Sequence, residues 1–157
     1  MATTLRLLTL FVMTTICTLS THAQNCGPMD RPTLKKMIGE LGYEVRDLES
    51  TPGKEKYEVT ISKQGFNVPM AYEISPSTNY IWITVFLGKA PAAGDTTNAS
   101  LLHQNFIIQP CQFYVTDKGN LMMGLAIENR GVSNAILKRL SDMVSDKVVQ
   151  TSTFWNK

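Results

Sequence analysis

Cysteine and histidine are the residues best able to act as nucleophiles or soft metal ligands, and this 157-residue chain has three of the first and two of the second. Cys17 and His22 fall in the first 23 residues, which leaves Cys26, His103 and Cys111. Pairing His103 with either cysteine as a nucleophile needs a third group to orient the imidazole, and no elbow or triad pattern accompanies them. The same three side chains lack the ligand number and motif spacing of a zinc site. The 13 acidic residues are scattered, with no close pair set to push two pKa values apart. Glycines fall at turns, so no strand–glycine loop–helix cradle for phosphate is present. The chain therefore reads as a non-enzyme without metal or cofactor. The alternatives are a small secreted hydrolase or ligand-binding protein with a Cys–His or carboxylate site, or a structural component of an envelope assembly.

Binding residues stand out more clearly. The segment Asn79–Leu87, NYIWITVFL, is apolar or aromatic at nearly every position. As a strand it places Ile81, Ile83, Val85 and Leu87 on one face and Tyr80, Trp82, Thr84 and Phe86 on the other. If helices cover only the aliphatic face, Tyr80, Trp82 and Phe86 form a patch of the kind that binds protein; otherwise a helix packs on the aromatics. A second candidate is Glu128-Asn129-Arg130-Gly131, where an Asn-Arg pair could hold a partner's carboxylate or serve in capping and loop hydrogen bonding. Asn98-Ala99-Ser100 matches a glycosylation acceptor, which matters only in a eukaryotic secretory route.

Met1 to Ala23 sets the expected compartment. Arg6 precedes an apolar run from Leu7 to Leu19, and Thr21-His22-Ala23 supplies a small-x-small site. This is the order of a secretory signal peptide cleaved after Ala23, and the run is short for a membrane span. Bacterial lipid attachment favours a small residue before the cysteine, whereas Ile16 precedes Cys17 and Asn25 precedes Cys26. Cleavage removes Arg6 from the 15 basic residues, so 14 face 13 acidic ones, a net charge of +1. Without a clustered basic face, nucleic acid and anionic membranes are not the expected partners. In an exported chain, Cys26 and Cys111 would close a disulfide loop of about 85 residues, worth a few kcal/mol in the chain-entropy model. They could equally remain two thiols, Cys26 on a frayed arm and Cys111 buried.

The elements that position these residues follow from periodicity. Residues 24–32 form an arm, and 33–157 one domain. Leu34, Met37, Ile38 and Leu41 predict a helix over Thr33–Leu41, stopped by Gly42. Tyr43–Glu49 is at best a short edge strand. Tyr57–Lys63, Phe66–Ser75 and Asn79–Leu87 predict three strands joined by tight turns at Gln64-Gly65 and Pro76-Ser77-Thr78. Pro69 cannot donate to a ladder and requires an edge or a bulge. After a loop from Gly88 to Thr96, a helix over Asn98–Phe106 clusters Leu101, Leu102, Asn105 and Phe106 on one side. Cys111–Thr116 and Leu121–Ile127 form a hairpin about Asp117–Asn120. Ser133 then caps a last helix to Gln150, striped by Ile136, Leu137, Leu140, Met143, Val144 and Val148. The fold class is α+β, an antiparallel sheet with helices mainly on one face, in the order α-β-β-β-α-β-β-α.

Several of these segments carry a family resemblance. Ile74-Ser75-Pro76-Ser77-Thr78-Asn79-Tyr80-Ile81-Trp82-Ile83 is similar to a recurrent strand–Ser-Pro turn–strand with a central Trp, and Leu101-Leu102-His103-Gln104-Asn105 to a helix with a leucine pair and an Asn. Phe113-Tyr114, the Gly119 hairpin, Leu121 to Val132, Leu137, Leu140 and Trp155-Asn156 follow in order. Together, from Thr33 to Asn156, they resemble the type III secretion chaperone-like superfamily, within it the bacterial YbjN-type domains and their exported relatives. The resemblance implies a compact domain without known catalysis that binds polypeptides or assembles with itself. Secretion chaperones of this fold form homodimers and hold extended segments of client proteins. They are cytoplasmic, so the leader points instead to a periplasmic or secreted binding domain with a protein or peptide partner.

Overall fold

A computed structural model describes residues 27–156. The leader Met1–Ala23 and Cys26 lie outside the described residues. The element order is α1 (Arg31–Glu40), β1 (Arg46–Glu49), β2 (Lys56–Lys63), β3 (Phe66–Ile74), β4 (Tyr80–Lys89), α2 (Thr96–Ile107), β5 (Gln112–Val115), β6 (Asn120–Glu128), α3 (Asn134–Gln150) and α4 (Ser152–Trp155). The strands form one antiparallel sheet in the order β1-β2-β3-β4-β6-β5. This is the expected α+β architecture, with a short fourth strand at the front and a single-turn helix at the end.

Period-two patterning decides the inner face. Tyr57, Val59 and Ile61 of β2 are buried, as are Val68, Met70, Tyr72 and Ile74 of β3, Ile81, Ile83 and Val85 of β4, and Leu121, Met123 and Leu125 of β6. Over this face lies α3, which touches β2, β3, β4 and β6 as well as α1 and α4. Its buried line is Leu137, Leu140, Ser141, Val144, Ser145 and Val148, so two serines sit in the stripe where an uninterrupted apolar one was expected. α1 adds Leu34 and Ile38 to the same core. Asp30 caps it by accepting from the Thr33 N–H at 2.9 Å, and Pro32 falls in its first turn, so it starts two residues before the predicted Thr33.

Turn chemistry fixes the registers. Gln64 and Gly65 both have positive φ (49° and 82°), which suits the two-residue turn that pairs Lys63 with Phe66. Pro69 resolves in an instructive way. β3 is an interior strand and Pro69 pairs in register with Thr60 of β2, yet the ladder to β4 begins only at Met70. The first half of β3 therefore has a partner on one side, and the missing N–H falls where the second ladder has ended.

Ser145 donates to Asp142 O at 2.8 Å within the helix, and Ser141 is explained by Tyr72. Its hydroxyl, fully buried, lies 2.7 Å from Ser141 Oγ and 3.1 Å from Met70 Sδ. Ser141 donates to Leu137 O at 2.8 Å, so the phenol is the donor between the two hydroxyls. Burial drives the Tyr72 pKa upward, keeping it neutral. Ser141→Ala leaves a buried phenol with only a sulfur for company and is expected to cost ~1–3 kcal/mol, against about 1 kcal/mol for Tyr72→Phe. Urea unfolding should show this order, and a double variant costing less than the two singles added.

Candidate functional site: the open sheet face

The face opposite α3 carries the other parity of every strand. Running across it are Glu73, Trp82 and Ala126 in one row, Ala71, Thr84 and Gly124 in the next, and Phe86 beside Met122 in a third. Tyr80 is 50% exposed and Phe86 53% exposed, while Trp82 is half-buried. The helices thus cover the Ile81, Ile83 and Val85 side, and the aromatic row faces outward.

A shallow groove of about 310 Å³ crosses this face, lined by Leu48, Lys56, Glu58, Pro69, Ala71, Glu73, Thr84, Phe86 and Met122. Ala71 and Thr84 are its small residues, and Leu48, Phe86 and Met122 its apolar bulk. Its charges are paired: Lys56 with Glu73 and Arg46 with Glu58. A neutral, aromatic-edged groove suits apolar side chains of a polypeptide better than a strongly charged ligand.

Tyr114 on β5 lies over Gly124 on β6. A Cβ at position 124 would sit 2.9 Å from Tyr114 Cε1 and 3.4 Å from Thr84 Cγ2, so only glycine lets the ring lie down on the sheet. Burial raises the Tyr114 phenol pKa, and the Glu73 carboxylate raises it further. The ring therefore reaches from the sheet margin towards the row that holds Trp82. The expectation that glycines fall at turns fails here, since Gly124 lies inside β6, where the close approach of a ring from β5 requires it.

The Asn-Arg pair does not act as a unit. Asn129 is buried and its amide is committed internally. Oδ1 accepts from the Met29 N–H at 3.1 Å, and Nδ2 donates to Met29 O at 2.9 Å and Thr78 O at 2.8 Å. Its own N–H donates to Asn79 O at 2.8 Å. Arg130 is exposed, 3.8 Å from the Glu128 carboxylate. A cavity of about 320 Å³ separates this loop from the arm and α1, lined in part by Met29, Met37 and Val132. Arg130 thus lines that pocket, and through Glu128, which pairs with Tyr80 in the β4–β6 ladder, it adjoins the end of the aromatic row.

His103 and Cys111 are not built as a pair. His103 is exposed, two residues from the inward-facing Leu101 and so on the outer side of α2. Cys111 is buried and its thiol is pushed up to about 11 by burial, which disfavours the thiolate a nucleophile needs. Among the described residues, no three of His, Cys, Asp and Glu gather to hold a metal ion. No described helix is long and apolar enough to cross a membrane.

The predicted cluster on α2 is also corrected. Leu101 and Asn105 face the domain, whereas Leu102 and Phe106 are 72% and 78% exposed. At 100° per residue, two i, i+4 pairs one residue apart form adjacent ridges, and the edge of the sheet can take only one of them.

No protein-family model matches the chain, and no curated protein matches it. Among solved structures it is similar to a chain of the heterodimeric complex ExoU-SpcU from the type III secretion system of Pseudomonas aeruginosa, at 15% identity. That likeness covers 78% of this chain and 97% of the other, with a TM-score of 0.47.

Gly124→Ala tests the cover on the open face. The added methyl must lift the Tyr114 ring, so its phenol should titrate at lower pH than in the native chain, because the raising effects of burial and of Glu73 both weaken. Ultraviolet phenolate titration of the variant, with Tyr114→Phe as the blank, reads the shift; an unmoved transition would place the ring elsewhere.

Proposed function

We propose that this chain is an exported, non-enzymatic domain that binds extended polypeptide segments on its open sheet face. The observation that carries the reading is the outward row of Tyr80, Trp82 and Phe86, whose Phe86 end borders a charge-paired groove, on the face that the helices leave free. Paired charges and small floor residues let a client's apolar side chains settle without desolvating an unpaired ion. Export rests on the leader-like Met1–Ala23. A buried thiol and an exposed histidine support a binding role over a Cys–His hydrolase.

The test is binding of a permanently unfolded polypeptide to the mature domain, followed by tryptophan fluorescence. Phe86→Asp is expected to weaken binding about ten-fold or more, the size of a central aromatic contact. Arg139→Ala, exposed on α3 across the sheet from the row, should leave binding near the native value. Equal affinity in the native chain and Phe86→Asp would reject the open face as the site.

A second copy is favoured as an additional partner by α2. Leu102 and Phe106 form an exposed apolar ridge on α2, and Ile107 is exposed beside them in sequence. From Thr96 to Thr116 the chain holds no Asp, Glu, Lys or Arg. A charge-free apolar surface can meet its own twofold image without like-charge repulsion. The expected native mass is that of a dimer, and Phe106→Asp should return it to a monomer without altering far-ultraviolet circular dichroism; a native chain already monomeric at high concentration rejects the dimer.

A further inference from the structure

An open antiparallel sheet ends in two edges, whose unpaired N–H and C=O groups invite another strand. Among the described residues these are β1 and β5, and they differ in how they are closed. β1 carries Arg46, Asp47 and Glu49 in four residues, and its register shifts between Asp47 and Glu49. Charge, brevity and a bulge are the usual means of blunting an edge. β5, Gln112-Phe113-Tyr114-Val115, has no charge and no bulge in its ladder to β6.

What stands at the β5 edge is a side chain. Asn105 Oδ1 accepts from the Phe113 N–H at 2.6 Å, and Asn105 Nδ2 donates to Phe113 O at 3.1 Å. One amide thus takes both main-chain groups of one strand residue, in the positions a neighbouring strand's C=O and N–H would fill. The same outward parity falls on Cys111, whose N–H donates to Ile108 O at 3.1 Å, and on Val115 after Phe113. α2 is otherwise seated by little: its buried residues are Thr97 and Leu101, followed by Ile108 at its cap.

We propose that Asn105 is the lock on a latent strand-addition edge, and that the occupant this edge would accept is β5 of a second copy, antiparallel about a twofold axis. Self-pairing is the chemistry the edge favours. The strand is uncharged within a charge-free segment, so its twofold image brings no ion to be desolvated and no like charges together. The lock acts on the Phe113 main chain and is separate from the open face, while its donor and acceptor, Asn105, sits on the same helix as the ridge.

Asn105→Ala tests it by two readings. In dilute protein the Phe113 amide should exchange roughly ten-fold faster or more than in the native chain, the equivalent of one net hydrogen bond. As concentration rises, native mass spectrometry should show particles about twice the native chain's own mass. Adding Val115→Lys should abolish that extra association, because it restores a charge to the edge. An unchanged Phe113 exchange rate overturns the lock, and a mass identical to the native chain's at every concentration overturns the strand-addition edge. Asn105→Ser, which keeps a polar group on the helix, carries the same two readings should the alanine variant fail to fold.

Discussion

Leu137, Leu140, Val144 and Val148 of α3 join one core with the inner residues of four strands, and that union constrains every other surface. Strand side chains alternate, so seating one parity against a helix sends the other outward. β4 could in principle bury either side, since Tyr80, Trp82 and Phe86 are as apolar as Ile81, Ile83 and Val85. Its neighbours break the tie. The residues paired with Trp82 and Thr84 are Glu73 and Ala71 on β3, and Glu58 stands beside Ala71 on β2. Turning the sheet over would bury these carboxylates at several kcal/mol each. The aromatic row is therefore exposed as the outcome of a choice made three strands wide.

Polar side chains finish what regular secondary structure leaves undone. Asn129 and Asn105 each present a side-chain amide to the N–H and C=O of a single main-chain residue, Met29 in one case and Phe113 in the other. An amide side chain is the same functional group as the backbone it replaces, so it satisfies main-chain groups that would otherwise go unpaired at some cost. Tyr72 and Ser141 do comparable work between α3 and the sheet, where a hydroxyl pair fixes how the helix lies.

The sequence made some of this legible and hid the rest for physical reasons. β2, β3 and β4 were readable because alternation and tight turns are local signals, and Lys63, Gln64, Gly65 and Phe66 specify their hairpin unaided. The end of the β3–β4 ladder that accommodates Pro69 was legible only as a requirement, an edge or a bulge. Ser141 carries no local sign of its role, because its partner, Tyr72, lies 69 residues away. Asn105 was singled out within its helix but its task was not, since the strand it closes had yet to be placed. Leu102 and Phe106 were grouped with Leu101 because a short helix with few charges offers no polar side to orient it. Of the candidate binding residues, Tyr80, Trp82 and Phe86 share a face by period alone, whereas Arg130 is left without Asn129, whose amide is claimed from within.

The clasp between Asn129 and Met29 spans 100 residues of chain. A polypeptide is made from its N-terminus, so the arm arrives well before its holder. The clasp on Met29 needs Asn129, which follows β6 in the chain. Contacts so distant in sequence form late because their loops are costly to close. The arm is thus joined to the loop after β6 by a fastening that reports on the sheet: an arm seated on Asn129 marks a chain whose six strands have all arrived.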